Sequence, residues 1–234
     1  MALPILILHG WGSCAKNWSK IREFLENQGY KVLVPDLPGF GKNPPPTKPW
    51  SLDDYVEWVK EFCEKKNLSR IFLLGHSFGG GLAVKYSLRF PEKIEKLFLV
   101  GAALFRKRSL RYRFLTVVSK IFKIFSFLPF YILFKKGFYK FIVRKSDYPY
   151  LKGTMKDSYL KVIKEDLSEI LSLVKVRTII IWGQKDDVTP IKDAYFINKK
   201  IKTYNYSGGK PRFRAKNAAS FSRKNFTKFE INFG

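Results

Sequence analysis

The chain has 234 residues and a formal net charge of +25, from 44 lysines and arginines against 19 aspartates and glutamates. Hydrophobic residues make up 46% of it, which is enough for a full core and excludes a disordered polypeptide. Two cysteines do not form a disulfide framework and indicate free thiols in a reducing compartment, while the charge favours contact with anionic surfaces.

The start of the chain predicts a buried strand. Met1 leads almost at once into Pro4-Ile5-Leu6-Ile7-Leu8, with no basic region before this apolar run. A secretory signal peptide would need such a region, so we expect a cytoplasmic protein.

Short apolar runs then alternate with amphipathic segments. The predicted strands are 5–8, 31–34, 71–74, 96–100 and 178–182. The predicted helices are 17–27, 51–65, 79–90 and one that starts near Pro190. Ser51 is a candidate N-cap, with Asp54 as its capping-box partner. Strands alternating with helices predict an α/β fold with a mostly parallel sheet covered by helices on both faces.

A long insertion, residues 103–176, interrupts this alternation and favours helical structure. Its stretch 114–134 has the length of a membrane span, but Lys120, Lys123 and Pro129 interrupt it, so we expect a buried or interface-lying helix. From Leu104 to Lys145 there is no acidic residue. The cations there are Arg106, Lys107, Arg108, Arg111, Arg113, Lys120, Lys123, Lys135, Lys136, Lys140, Arg144 and Lys145. They form either a surface for anionic membrane or acyl substrates, or a solvated basic face.

The pentapeptide Gly75-His76-Ser77-Phe78-Gly79 follows the third predicted strand and precedes a predicted helix. Strand, Gly-x-Ser-x-Gly and helix in this order are typical of a nucleophile elbow. The glycines allow a turn tight enough to hold the Ser77 hydroxyl clear of the backbone. Ser77 is therefore a candidate nucleophile.

A serine nucleophile needs oxyanion donors, a base and an acid that orients the base. His9-Gly10-Trp11-Gly12 follows the first strand, and the amides of Trp11 and Phe78 are the predicted donors. Alone, this glycine pair would also suit an ordinary tight turn. Asp186 and Asp187 follow the fifth strand, and either is a candidate acid or a cap for the next helix.

Taken together, these segments resemble the α/β-hydrolase superfamily, in particular its small capped serine hydrolases of the carboxylesterase and C–C-bond hydrolase branch. The similar segments are collinear and comprise 9–12, 36–41, 75–80, 89–94 and 182–186. The resemblance implies a hydrolase core of 1–102 and 177–234 under a helical cap of 103–176. It aligns the acid with Asp186, and serine at position 77 disfavours relatives that use an aspartate nucleophile.

The implied activity is hydrolysis of a small-molecule ester or related acyl compound. No metal or organic cofactor is expected, because there is no Cys/His ligand cluster and no phosphate-binding glycine loop. No specific nucleic-acid partner is expected. Peripheral contact with an anionic membrane is the partner that follows if the basic stretch is a binding surface and not a solvated face. The alternative is an inactive homologue that binds a lipid or an anionic surface.

The catalytic base that Ser77 would need is absent from its expected position. The family places its catalytic histidine after the last strand, but this chain has only His9 and His76, both upstream of the acid. His76 should point away from the Ser77 hydroxyl, and the resemblance implies a structural role for His9. Loss of one triad member typically costs several orders of magnitude in rate.

The tail, 211–234, has no helical period and is rich in Arg, Lys, Asn and Phe. If Pro211 is encoded by CCA and Arg212 by a CGN codon, reading one base later gives CAC, a histidine, at the expected place. The same frame can then yield an amphipathic helix. We therefore hypothesise an aberrant tail produced by a frameshift in an intact hydrolase gene. The alternative is true divergence in an inactive homologue, and an unbroken frame in the raw reads of the locus would favour it.

Overall fold

A computed structural model of the protein describes residues 3–105, 151–184, 186 and 188–201. Within this part of the chain, five strands form one parallel sheet in the order β2-β1-β3-β4-β5. The strands are β1 (Ile5–Leu8), β2 (Val32–Leu33), β3 (Ile71–His76), β4 (Ile94–Val100) and β5 (Thr178–Ile181). The predicted α/β class with a parallel sheet is therefore confirmed.

The described helices lie close to their predicted positions. They are α1 (Ser19–Glu26), α2 (Leu52–Lys65), α3 (Phe78–Arg89), α4 (Gly153–Val162) and α5 (Ile191–Lys200). Short 3-10 helices occupy Ala15–Trp18, Pro91–Lys93 and Ile170–Leu173. The predicted capping box is present: the Ser51 hydroxyl accepts from the Asp54 amide, and the Asp54 carboxylate accepts from the Ser51 amide.

Two apolar clusters cover the two faces of the sheet. In β1, Ile5 and Ile7 face one cluster, which also contains Leu25 from α1. Leu6 and Leu8 face the other, where α2 and α3 pack. This alternation of a fully buried strand is what a parallel sheet with helices on both sides requires. With both faces of the sheet covered by helices, the loops that follow the strands converge at the carboxyl ends of the strands.

The structure describes the predicted cap, 103–176, only at its first three residues and in its final part. Residues 151–176 contain α4 and one 3-10 helix, whereas residues 106–150, with the basic and apolar stretch, lie outside the described residues. The tail from 202 to 234, including the predicted aberrant segment, also lies outside them. In the part of the chain described here, no helix combines the length and apolar character needed to cross a bilayer.

Candidate active site

The link between β3 and α3 has the geometry of the predicted elbow. Ser77 stands between the two elements with φ 51° and ψ −116°, a region that non-glycine residues rarely adopt. The turn is fixed from both sides, because the Ser77 amide donates to the Val100 carbonyl at 3.1 Å and the Ser77 carbonyl accepts from the Ala103 amide at 3.0 Å. The surrounding structure thus holds Ser77 in a strained conformation.

Glycines beside Ser77 permit close backbone contacts. A Cβ atom on Gly79 would collide with the carbonyl of Leu8, and one on Gly75 would collide with the carbonyl of Gly79. The start of α3 therefore rests directly on the end of β1. The contact with Leu8 explains the glycine at position 79, and the separate contact of β3 with the first turn of α3 explains the glycine at position 75.

The loop after β1 lies against the elbow. A Cβ atom on Gly10 would be 3.3 Å from Ser77 Cβ, and the ring centroids of Trp11 and Phe78 are 5.1 Å apart. Ser77, Trp11 and Phe78, which the sequence predicted as nucleophile and oxyanion donors, are thus brought together at the carboxyl edge of the sheet.

The Trp11 indole is enclosed by aromatic rings. Its centroid lies 4.9 Å from that of Phe40, 5.2 Å from that of Tyr159 on α4 and 6.5 Å from that of Tyr55 on α2. These edge-to-face contacts join the loop after β1, the body of the core and the described part of the insertion. The side chain of Trp11 is therefore fixed by packing from three directions.

Asp186 is held by the turn that follows β5. Its Oδ1 atom accepts from the amides of Val188 and Thr189, both at 2.8 Å, and its Oδ2 atom accepts from the Thr189 hydroxyl at 2.9 Å. A Cβ atom on Gly101, just beyond β4, would lie 3.4 Å from Asp186 Oδ2. Asp186 therefore organises the loop before α5, and β4 lies between its strand, β5, and the strand that leads into the elbow, β3. Asp187, the other candidate, lies outside the described residues.

His9 is engaged on both ring nitrogens. Nε2 accepts from the Leu37 amide at 3.0 Å, and Nδ1 lies 2.9 Å from the Gly10 carbonyl, to which it donates. Burial lowers the pKa of His9, although the Gly10 hydrogen bond and Asp36 oppose this effect. The ring is neutral and structural, in agreement with the role that the family resemblance implied.

His76 lies behind the elbow. Part of the residue remains accessible, but its Nδ1 atom is buried, and its ring packs 5.7 Å from the ring of Trp18 on the α1 side of the sheet. Burial lowers its pKa to about 4, with Asp186 opposing and His9 adding to the effect. Its position on that side of the sheet does not suit it to take a proton from Ser77.

Comparisons with known proteins show the family to which the chain belongs. A family model described as the alpha/beta hydrolase fold matches residues 4–207. The chain belongs to the α/β-hydrolase family. Lipase 1 from Psychrobacter immobilis is 28% identical over 216 residues, which cover 85% of this chain and 67% of the lipase. Lipase 3 from Moraxella sp. is 28% identical over 223 residues, with the same coverage.

Solved structures support the hydrolase fold as well. An esterase from Exiguobacterium antarcticum matches with a TM-score of 0.65 at 24% identity, over 86% of this chain and 80% of that one. A bromoperoxidase from Bacillus anthracis matches with the same TM-score and identity, over 86% of this chain and 81% of that one. Proteins that are named for different activities share this fold. The fold alone therefore does not indicate the reaction, which has to be argued from the residues of the site.

Two features of this α/β-hydrolase site were missed at the sequence level. Thr189 supplies two of the three hydrogen bonds to the Asp186 carboxylate. An aspartate whose side chain can bond to the backbone two or three residues later is a known turn signal, and it could have indicated these bonds. The contact between Tyr159 and Trp11 joins residues far apart in sequence and left no local signal. Within the described ranges, no cluster of His, Cys, Asp or Glu is arranged to hold a metal ion.

Proposed function

We propose that the protein descends from serine hydrolases that act on small ester or related acyl substrates, and that it uses the same chemistry. The observation that carries the proposal is the strained Ser77 at the tip of the elbow, with the Gly10–Trp11 loop directly against it. Strained backbone of this kind persists where the structure presents a reactive group. Relatives named lipases at 28% identity support an ester substrate.

The proposed reaction is acyl transfer to water. Ser77 Oγ bonds to the carbonyl carbon of the ester while its proton passes to a histidine, and the electron pair of the carbonyl bond moves onto oxygen. The Trp11 and Phe78 amides hold that oxyanion. The intermediate then collapses, the alcohol leaves with the proton, and water releases the acid from Ser77 by the same steps. Asp186 orients the histidine.

Neither of the two histidines of the chain is placed to act as this base. Both nitrogens of His9 are engaged, and His76 lies on the other side of the elbow. We therefore propose that the base belongs to a tail whose reading is shifted from Pro211 onward, and that the chain as written is impaired. We call the shifted-tail protein the chain in which the residues from 211 onward are read one base later. With the histidine that follows from CCA and CGN codons, this protein would carry the complete triad.

The surroundings of Trp11 favour an apolar acyl group. Phe40, Phe78 and Tyr159 pack around the loop that would hold the oxyanion, so a bound ester would lie among aromatic side chains. The test is hydrolysis of p-nitrophenyl butyrate by the shifted-tail protein and by its Ser77→Ala variant. Turnover in the first and its loss in the second is the expected result, and equal turnover in both would overturn the role of Ser77.

A second candidate function is binding without catalysis. An inactive homologue that binds a lipid or anionic membrane would suit the missing histidine and the acid-free stretch from Leu104 to Lys145. Its location would be cytoplasmic and peripheral at the membrane. Sedimentation with phosphatidylserine vesicles, weakened by salt and unchanged by Ser77→Ala, is the result that this candidate requires.

A further inference from the structure

Lys85 lies on α3, the helix that begins immediately after Ser77, and bridges two carboxylates. Its Nζ atom is 2.7 Å from Asp53 Oδ2 on α2 and 2.9 Å from Glu165 Oε2, which follows α4 in the insertion. Only 16% of the Lys85 side chain is exposed, against 25% for Glu165 and 58% for Asp53. This is more enclosed than an ordinary surface ion pair, which contributes little.

Glu165 makes a second contact that fixes its direction. Its Oε1 atom accepts from the Leu52 amide, at the first residue of α2, at 3.2 Å. One carboxylate thus binds the positive end of α2 and the ammonium group on α3. Burial disfavours the charge on Lys85, but the hydrogen bonds to Asp53 and Glu165 outweigh it, so the pKa of Lys85 is raised. The lysine is therefore charged at neutral pH.

Residues 151–167, which we call the returning limb, carry the chain from the insertion back to the core. The limb is docked on the segment before α2: Ser158 Oγ accepts from the Trp50 amide at 2.8 Å, and Lys161 Nζ donates to the Pro49 carbonyl at 2.9 Å. These contacts are single neutral or exposed bonds. The Lys85–Glu165 pair is the charged contact that joins the limb to the nucleophile helix.

The docked limb places two side chains beside the candidate active site. Tyr159 packs against Trp11 at 5.2 Å between ring centroids. Met155 covers Gly39 so closely that a Cβ atom there would collide with its Sδ atom. The limb thus forms a wall over the loops that follow β1 and β2.

We propose that Lys85 is a positioning residue, which clamps the returning limb through Glu165 and so holds Tyr159 and Met155 in place beside Trp11. Its part in substrate binding rests on the proposed hydrolase function. Loss of the clamp loosens the wall that faces the acyl group, whereas the backbone of the Gly10–Trp11 loop stays anchored through the His9 ring and Ser77 stays held by Val100 and Ala103. The clamp therefore controls KM for apolar esters more than kcat.

The first test is hydrogen exchange in the full chain, which needs no activity. Lys85→Met keeps the apolar stem and removes the charge, and Glu165→Gln keeps an oxygen for the Leu52 amide. Both variants should speed exchange of amides in the returning limb about tenfold, and Lys85→Arg should largely retain protection. The matched control is Lys60→Met, since Lys60 pairs with Glu57 at 2.7 Å on α2, away from the limb. Unchanged exchange in both clamp variants would overturn the proposal.

The second test uses p-nitrophenyl butyrate and the shifted-tail protein. Lys85→Met should raise KM about fivefold with kcat within a factor of about two, and Lys60→Met should change neither. Faster exchange with an unchanged KM would overturn the role of the clamp in substrate binding. Faster exchange together with no turnover in any version would support the clamp and overturn the hydrolase proposal instead, so the two failures are distinguishable.

Discussion

The Leu37 amide donates a hydrogen bond to His9 Nε2 at 3.0 Å, which ties the loop after β1 to the loop after β2. Because Nδ1 of the same ring donates to the Gly10 carbonyl, His9 has no nitrogen left to act on a nucleophile. A histidine beside a candidate serine is thus engaged in holding the Gly10–Trp11 loop in shape. His9 is therefore not available as the base that the proposed mechanism requires.

Replacing His9 should destabilise the protein. His9→Phe keeps an aromatic ring, somewhat larger than imidazole, but leaves the buried Leu37 amide without its acceptor, at a cost of about 2 kcal/mol or more in the free energy of unfolding. Urea denaturation of the two proteins measures this difference. A change below about 0.5 kcal/mol would contradict the structural role given to the ring.

Glycine at position 77 should make the protein more stable. Ser77 has φ 51°, and relief of this strain by Ser77→Gly outweighs the added chain entropy, for a net gain of about 1 kcal/mol in unfolding free energy. Asn67, with φ 52°, is the matched control, because asparagine tolerates this region and Asn67→Gly should change little. Equal effects at the two positions would mean that Ser77 stores no special strain.

Two glycines of α3 should respond in opposite ways to alanine. Gly79→Ala forces a Cβ atom into the Leu8 carbonyl and should cost about 3 kcal/mol or more of stability. Gly81→Ala places its Cβ atom at ordinary contact distances of 3.6 Å from Ala103 and Leu52, and should gain about 0.5–1 kcal/mol from helix propensity. Thermal or urea unfolding compares the pair. Tolerance of alanine at Gly79 would contradict the close approach of α3 to β1.

The stability of the protein should fall in mild acid because of His76. Its pKa is about 4 in the folded protein against 6.5 in an unfolded chain, so between these values the unfolded state binds the extra proton. This contribution is complete above pH 6.5 and is lost as the pH falls towards 4. His9, whose pKa is also lowered, acts in the same direction.

The comparison with His76→Gln isolates this effect from the carboxylates. Between about pH 7.5 and pH 4.5 the parent chain should lose about 2–3 kcal/mol more unfolding free energy than the variant does. Parallel pH profiles for the two proteins would show that His76 is not held neutral by its surroundings.

Local patterns were sufficient to predict most of the fold. The strands, the capping box of Ser51 and the elbow follow from apolar runs and glycine spacing, which act over a few residues. The bounds differ where the pattern ends: β3 extends through Gly75 and His76, because pairing with β4 continues past the last apolar residue. The edge strand β2 is shorter than its apolar run, since only Val32 and Leu33 pair with β1.

The site could be predicted only where its residues lie in short motifs. Ser77, Phe78 and Trp11 were predicted in this way and lie close together in the structure, whereas the residues alone left the choice between Asp186 and Asp187 open. The His9–Leu37 bond spans 28 residues and the Lys85–Glu165 pair spans 80. Contacts at such separations depend on how the elements pack, so no local pattern in one sequence indicates them.

The most direct test of the central claim is p-nitrophenyl butyrate hydrolysis by the chain as written and by the shifted-tail protein, at equal concentration and with folding checked by circular dichroism. The Ser77→Ala variant of the shifted-tail protein measures the background. We expect turnover only in the shifted-tail protein, at least about 10³-fold above the chain as written. Equal rates in the two folded proteins, or no turnover in either, would contradict a serine hydrolase whose histidine lies in the shifted frame.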